Sequence, residues 1–188
     1  MKKTTMILVS TKTGDTGKTG LANGQRIAKS NAVFEVIGDI DELNSWLGLV
    51  VVKLESSFEE QKGFLLKVQD TLFYIGAELA NSPKAHLTKD HLSELEKVAT
   101  ELQESMSDNW YTKFLLPGGT ELGAWLDISR TVCRRAERAA WDYSEESEVS
   151  AIILKYLNRL SDYLYLLRCF VNQALEFEEK KFIRKDNA

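Results

Sequence analysis

An all-α fold, a bundle of about five helices behind an irregular glycine-rich head, is predicted by three features of the sequence. Apolar residues recur at intervals of three and four in five long segments. No comparable run alternates with the period of two that a half-buried strand requires. Only two prolines occur, Pro83 and Pro117, and both fall between the apolar stripes rather than within them.

The first thirty residues carry no helical stripe. Gly14, Gly17, Gly20 and Gly24 recur there among polar residues, so the segment reads as irregular. The first stripe is Val36, Ile40, Leu43, Leu47, Val50 and Leu54. The second, Leu65, Val68, Leu72, Ile75 and Leu79, stops before Asn81-Ser82-Pro83. Thr88 before Lys89-Asp90-His91 marks a helix start, and Leu92, Leu95, Val98, Leu102 and Met106 follow it. After Pro117-Gly118-Gly119 comes a fourth stripe of Leu122, Trp125, Ser129, Val132, Ala136 and Ala140. The fifth runs from Ile153 through Tyr156, Leu160, Tyr163, Leu167 and Val171 to Ala174. Apart from the polar stretch Ser107 to Lys113 the connections are short, which predicts antiparallel neighbours. One domain is expected, with residues 1–30 as a nucleotide-binding segment and 31–188 as the helical bundle.

Composition narrows the functional classes. The 188 residues are 44% hydrophobic and 28% charged, an ordinary globular mixture. No apolar run approaches the roughly 20 residues of a spanning helix. Met6-Ile7-Leu8-Val9 falls short of the about 7–15 apolar residues of an export signal, so a cytoplasmic protein without a membrane partner is expected. Cys133 and Cys169 both lie in apolar-periodic segments and read as buried, reduced thiols. Net charge is −4, yet residues 1–30 hold Lys2, Lys3, Lys12, Lys18, Arg26 and Lys29 against Asp15 alone. A basic, glycine-rich head on an acidic body points to a small polyphosphate rather than nucleic acid. A solvated basic tail is the plainer alternative.

Two familiar sites are excluded. Gly14-Asp15-Thr16-Gly17-Lys18-Thr19 resembles a P-loop, but the motif's first glycine would fall at Lys12 and no βαβ unit follows. Glycine-spaced N–H groups with nearby lysines still suit an anion. A bundle di-iron site needs Glu-x-x-His pairs, and neither His86 nor His91 has a glutamate three residues earlier. With no zinc-spaced cysteine pair either, a protein-ligated catalytic metal is not expected.

Polar residues interrupt three helices. Arg130, Arg134, Glu137 and Arg138 share one helical face, with Arg135 a step around. So many guanidinium groups close together call for carboxylates or phosphates, and the planar fork suits both. A surface ion-pair ladder explains them equally well. Asp41, Asn44, Ser45 and Gly48 form a second patch, where Gly48 costs about 1 kcal/mol against alanine and suggests close backbone approach. Asn158 and Asp162 form a third, and an asparagine among leucines requires partners. Interhelix hydrogen bonds would satisfy it. The three patches together with the basic head favour a polar ligand site.

At these positions the chain resembles the PduO-type ATP:cob(I)alamin adenosyltransferases. The resemblance rests first on Thr11-Lys12-Thr13-Gly14-Asp15-Thr16-Gly17, Gly24, Lys29, Gly38 and Asp41-Glu42-Leu43-Asn44-Ser45. It continues through Phe114-Leu115-Leu116-Pro117-Gly118-Gly119-Thr120, Arg130-Thr131-Val132-Cys133-Arg134-Arg135-Ala136-Glu137-Arg138 and Asn158-Arg159-Leu160-Ser161-Asp162. These stand in family order. Asn31-Ala32-Val33 departs from it, since an arginine or an acidic residue is usual there.

The resemblance implies a homotrimeric five-helix bundle with active sites between subunits. ATP would be held by Thr11, Lys12, Thr13, Gly14, Thr19, Gly20 and Lys29 of one subunit. Arg134, Arg135, Glu137, Arg138 and Asn158 of its neighbour would complete the site. Asp41 and Arg130 match a pair bridged across the interface. Phe114 matches the aromatic that keeps the lower axial ligand from cobalt. ATP and cobalamin would be substrates, with Mg²⁺ held mainly by the ATP phosphates. A reductase and an adenosylcobalamin-dependent client enzyme would be partners. Cob(I)alamin is itself a powerful nucleophile, which accounts for the lack of a catalytic histidine or cysteine. The same fold used as a cobalamin carrier or a nucleotide sensor, or as a structural bundle, is the competing reading.

Overall fold

The computed structural model describes residues 12–107 and 114–183. Five helices follow a small hairpin: α1 (Ala32–Lys53), α2 (Glu59–Leu79), α3 (Lys89–Ser105), α4 (Glu121–Ser144) and α5 (Ala151–Ala174). The head is not wholly irregular. β1 (Lys18–Gly20) pairs antiparallel with β2 (Arg26–Ala28), and Gly24 turns the chain between them at φ +86°. The glycine spacing hid this pairing because each strand has only three residues.

Four of the five helices begin where a side chain satisfies a free N–H group, whereas α2, preceded by Phe58, has no side-chain cap. The Asn31 side chain accepts from Val33 N at 3.1 Å, and Thr120 Oγ1 from Gly123 N at 3.0 Å. Ser150 Oγ accepts from Ile152 N at 3.3 Å. At α3 the Thr88 N–H donates to His91 Nδ1 at 3.2 Å. Asn81, left-handed at φ +59°, ends α2 ahead of Pro83.

Consecutive helices run antiparallel, as the short connections predict. Lys67–Glu94 and Tyr74–His91 join α2 to α3 in opposed order. Asp127–Arg168 and Glu137–Asn158 do the same for α4 and α5. Lys53–Glu121 and Asp39–Arg135 set α1 antiparallel to α4. The third helix lies parallel to α5, through Glu96–Arg159 and Ser107–Gln173. α5 therefore sits at the centre, touching α2 as well through the edge-on Phe64–Tyr163 pair at 5.1 Å.

The first and second stripes are buried throughout. Four stripe positions differ from expectation, Leu92 and Val98 of α3 being only half-buried. Ala174 is exposed because α5 ends there, and in α4 the fully buried residue is Leu126 while its neighbour Trp125 is half-buried. The hairpin is anchored to the bundle by Leu21, which enters the core, and by Ala22 N donating to Ala80 O at 2.8 Å.

Candidate active site

The basic head is shaped around its glycines. Gly17 adopts φ +79° and accepts at its carbonyl from Lys29 N at 2.9 Å, while its own N–H donates to Gly14 O at 3.2 Å. Arg26 braces the loop, donating to Thr13 O at 2.6 Å and Lys18 O at 3.0 Å. The Lys29 ammonium lies across Gly14, where an added Cβ would stand 3.1 Å from Nζ. Lys12, itself at φ +56°, Thr13, Gly20 and Lys29 are exposed, and Gly14 and Thr19 half-exposed. Thr11 lies outside the described residues.

On the far helices, Glu137 and Asn158 meet, with Asn158 Nδ2 donating to Glu137 Oε1 at 2.9 Å. Arg159 donates to Asn158 Oδ1 at 2.9 Å and to Asp162 at 3.3 Å. The Asn158 amide is thus satisfied at both ends. Arg138 Nη1 donates to Arg134 O at 3.2 Å, which holds it along the helix. Arg134 is exposed, and its guanidinium has no carboxylate partner among the described residues. Arg135 turns the other way, to Asp39 at 2.9 Å and to Glu42 on α1. Those carboxylates hold its pKa above the ordinary arginine value.

The patch on α1 is partly structural. Asn44 Nδ2 donates to Gln69 O at 3.2 Å and Gln69 Nε2 returns to Asn44 O at 3.1 Å, a reciprocal clasp of α1 and α2. Close approach does not explain Gly48: a Cβ there would lie 3.4 Å from Gln69 Nε2, an ordinary contact. Asp41 is exposed, beside a groove walled by Phe34, Ile37, Leu72 and Phe73. Within the chain Arg130 faces Asp127 at 3.7 Å rather than Asp41, and its buried Nε donates to no acceptor.

Phe114 is 85% exposed and wedges between no helices. The loop that carries it rests on a buried polar cluster that the sequence did not reveal. Arg168, 1% exposed, donates to Asp127 Oδ2 at 3.2 Å, Leu116 O at 2.9 Å, Gly118 O at 3.0 Å and Glu179. Asn172 donates to Gly118 O and Glu179 at 3.0 Å each, and accepts from Thr120 Oγ1 at 2.7 Å. Burial opposes the Arg168 charge most strongly, but Glu179 and Asp127 outweigh it and leave its pKa above the ordinary value. An arginine within Leu166-Leu167-Arg168-Cys169-Phe170-Val171, four residues before an asparagine, was the available signal. Both cysteines are buried, and burial pushes each thiol's pKa up, so they remain protonated.

The head is tied to itself and to α2, whereas the polar face of α4 and α5 is tied to its own helices, to α1 and, through Arg159–Glu96, to α3. The described bonds do not bring the two predicted halves together in one chain.

Residues 9–171 match the family model described as cobalamin adenosyltransferase. The chain is 36% identical over 166 residues to a cobalamin adenosyltransferase of Cupriavidus metallidurans, covering 88% of this chain and 89% of the relative. It is 37% identical over 186 residues to a corrinoid adenosyltransferase of Bacillus subtilis, covering 94% and 95%. A phenylalanine-to-histidine variant of a PduO-type ATP:corrinoid adenosyltransferase from Lactobacillus reuteri, complexed with cobalamin and ATP, superposes with a TM-score of 0.86. That likeness has 28% identity and covers 93% of this chain and 96% of the other. An arginine-to-lysine variant complexed with ATP gives a TM-score of 0.83 at 28% identity, covering 94% and 100%. The chain belongs to the cobalamin adenosyltransferase family, as a PduO-type ATP:corrinoid adenosyltransferase.

Proposed function

We propose that this chain adenosylates cob(I)alamin at sites shared between the subunits of a homotrimer, each site joining one subunit's head to its neighbour's α4 and α5. Cobalt attacks C5′ of ATP, the C5′–O bond breaks, and its electron pair leaves on triphosphate. The observation that supports the shared site is that the described bonds tie each polar half to other elements rather than to the other half. The residues of both halves that the structure describes are exposed or half-buried.

With the nucleophile supplied by the substrate, the protein's work is alignment and charge. Lys12, Lys29 and Arg134 have exposed cationic groups that suit a growing triphosphate charge. Thr13, Gly14, Thr19 and Gly20 line the anion loop, and Thr11, outside the described residues, would join them in binding ATP. Glu137, Arg138 and Asn158 position the adenosine, while Arg135 acts from the α1 side. Mg²⁺ would arrive bound to the ATP phosphates. It would add charge neutralisation there. Asp41 of one subunit pairs with Arg130 of the next, giving the buried Nε of Arg130 an acceptor. Phe114 lies under the corrin and excludes the lower axial ligand, which eases reduction of Co(II). A reductase upstream and an adenosylcobalamin-dependent client downstream, in the cytoplasm, complete the role.

Mixing two variants tests the shared site. Lys29→Ala and Arg134→Ala should each be nearly inactive alone. Co-assembled at random, they should recover about a quarter of wild-type sites, because a cyclic trimer then contains interfaces with both halves intact. Recovery of nothing, from variants that are folded and trimeric, would place each site within one subunit. Binding of both ligands without any turnover by the unmodified protein would leave a carrier instead.

A further inference from the structure

We infer that Arg168 and Glu179 are positioning residues that hold the backbone bearing Phe114 through a strap formed by the C-terminal segment. The inference rests on the reading of Phe114 given above and adds residues to it.

Four charges alternate through the interior, from Arg130 to Asp127, to Arg168, to Glu179. A buried ion pair that only joined two helices would spend its donors on α4 and α5. Arg168 does otherwise. One Nη2 gives both its bonds to loop carbonyls, Leu116 O and Gly118 O, and Nη1 reaches Glu179, beyond the end of α5. Asp127 Oδ2 also accepts from Gly118 N at 2.8 Å, so it grips the same turn from the other side.

Glu179 leads into the strap. Leu116 N donates to Lys180 O at 2.8 Å and Phe182 N donates to Phe114 O at 2.7 Å, with Leu115 opposite Lys181 in an antiparallel bridge. The main chain of Leu116 is therefore held on one side by Arg168 and on the other by Lys180, and that of Phe114, two residues earlier, by Phe182. The Phe114 ring itself is left exposed. A rigid backbone under a free aromatic ring is the arrangement needed to present that ring to a flat ligand. Tight packing reinforces it. Gly119, at φ +107°, would place a Cβ 2.3 Å from Asn172 Nδ2, and Asn172 in turn bonds Glu179 at 3.0 Å.

Breaking the strap's anchor should therefore act on cobalt reduction and spare nucleotide binding. Glu179→Ala and Arg168→Lys are to be compared with Phe114→Ala and the double variant Phe114→Ala/Glu179→Ala. The readouts are the fraction of bound cob(II)alamin in the four-coordinate state by electron paramagnetic resonance, the turnover from cob(II)alamin and from pre-reduced cob(I)alamin, and ATP affinity. For Glu179→Ala we expect a smaller four-coordinate fraction and a loss of about tenfold or more in turnover from cob(II)alamin. Turnover from cob(I)alamin and ATP affinity should change by less than about threefold. The double variant should be no worse than Phe114→Ala, because both act through one ring. If Phe114→Ala changes the cobalt signal and Glu179→Ala does not, the positioning inference is overturned alone. If Phe114→Ala leaves that signal unchanged, the Phe114 reading falls first. Should Arg168→Lys fail to fold, Glu179→Ala carries the test, since Glu179 lies past the last helix.

Discussion

Arg130, Arg134, Arg135 and Arg138 crowd one helix, yet each meets a different electrostatic setting. Arg135 is tied to Asp39 and Glu42, but it is 44% exposed, so these pairs are screened by water. Arg135→Ala should cost about 1 kcal/mol or less in a denaturant titration. Arg134 is exposed without an acid partner, so Arg134→Ala should leave stability almost unchanged and weaken ATP binding more than Arg135→Ala does. Calorimetric titration with MgATP distinguishes the two, and equal losses would mean that Arg135 abandons α1 for the nucleotide. The fork geometry of these residues was legible from their spacing. The direction each one faces was not, because a step of one residue on a helix turns a side chain by about 100°. The thiols add a second check at this scale. Cys133 donates to Leu157 O at 3.3 Å and both cysteines are buried, so a thiol reagent should label neither in the native protein and both in denaturant.

Among the elements, α5 contributes the largest share of the core. Leu157, Leu160, Tyr163, Leu164 and Leu167 are fully buried because helices cover this one on several sides. Leu160→Ala should cost about 2–5 kcal/mol, since the central position leaves little freedom for neighbours to collapse into the void. Val52 on α1 is 76% exposed, and Val52→Ala should shift the unfolding midpoint hardly at all. The periodic stripe identified α5 correctly but showed only one of its buried faces. Leu157 and Leu164 fall off the stripe and are buried all the same. The α1 cap at Asn31 and the capping arrangement at Thr88 were within reach of local sequence rules. The β1–β2 pair was not, because strands of three residues are too short for a period of two to register.

For the whole molecule, the expected mass in sedimentation is three times the 21.3 kDa chain. If active sites require two subunits, activity per chain should fall on dilution together with the trimer. A monomer with undiminished activity would contradict that assembly. Asp41→Ala offers a finer test, since it leaves every described ion pair of the single chain intact. Loss of trimer or of cobalamin affinity in Asp41→Ala would therefore report contact with another copy.

Helix number and the family motifs were determined by the sequence alone, because stripes, breaks and glycine spacing act over a few residues. The tertiary structure decided which polar groups meet. Arg168 finds Asp127 across 41 residues and Leu116 across 52, and no local period encodes such separations. It likewise decided that the basic head bonds to itself and to α2 while Asn158 bonds to Glu137, because α1 packs on both α2 and α4.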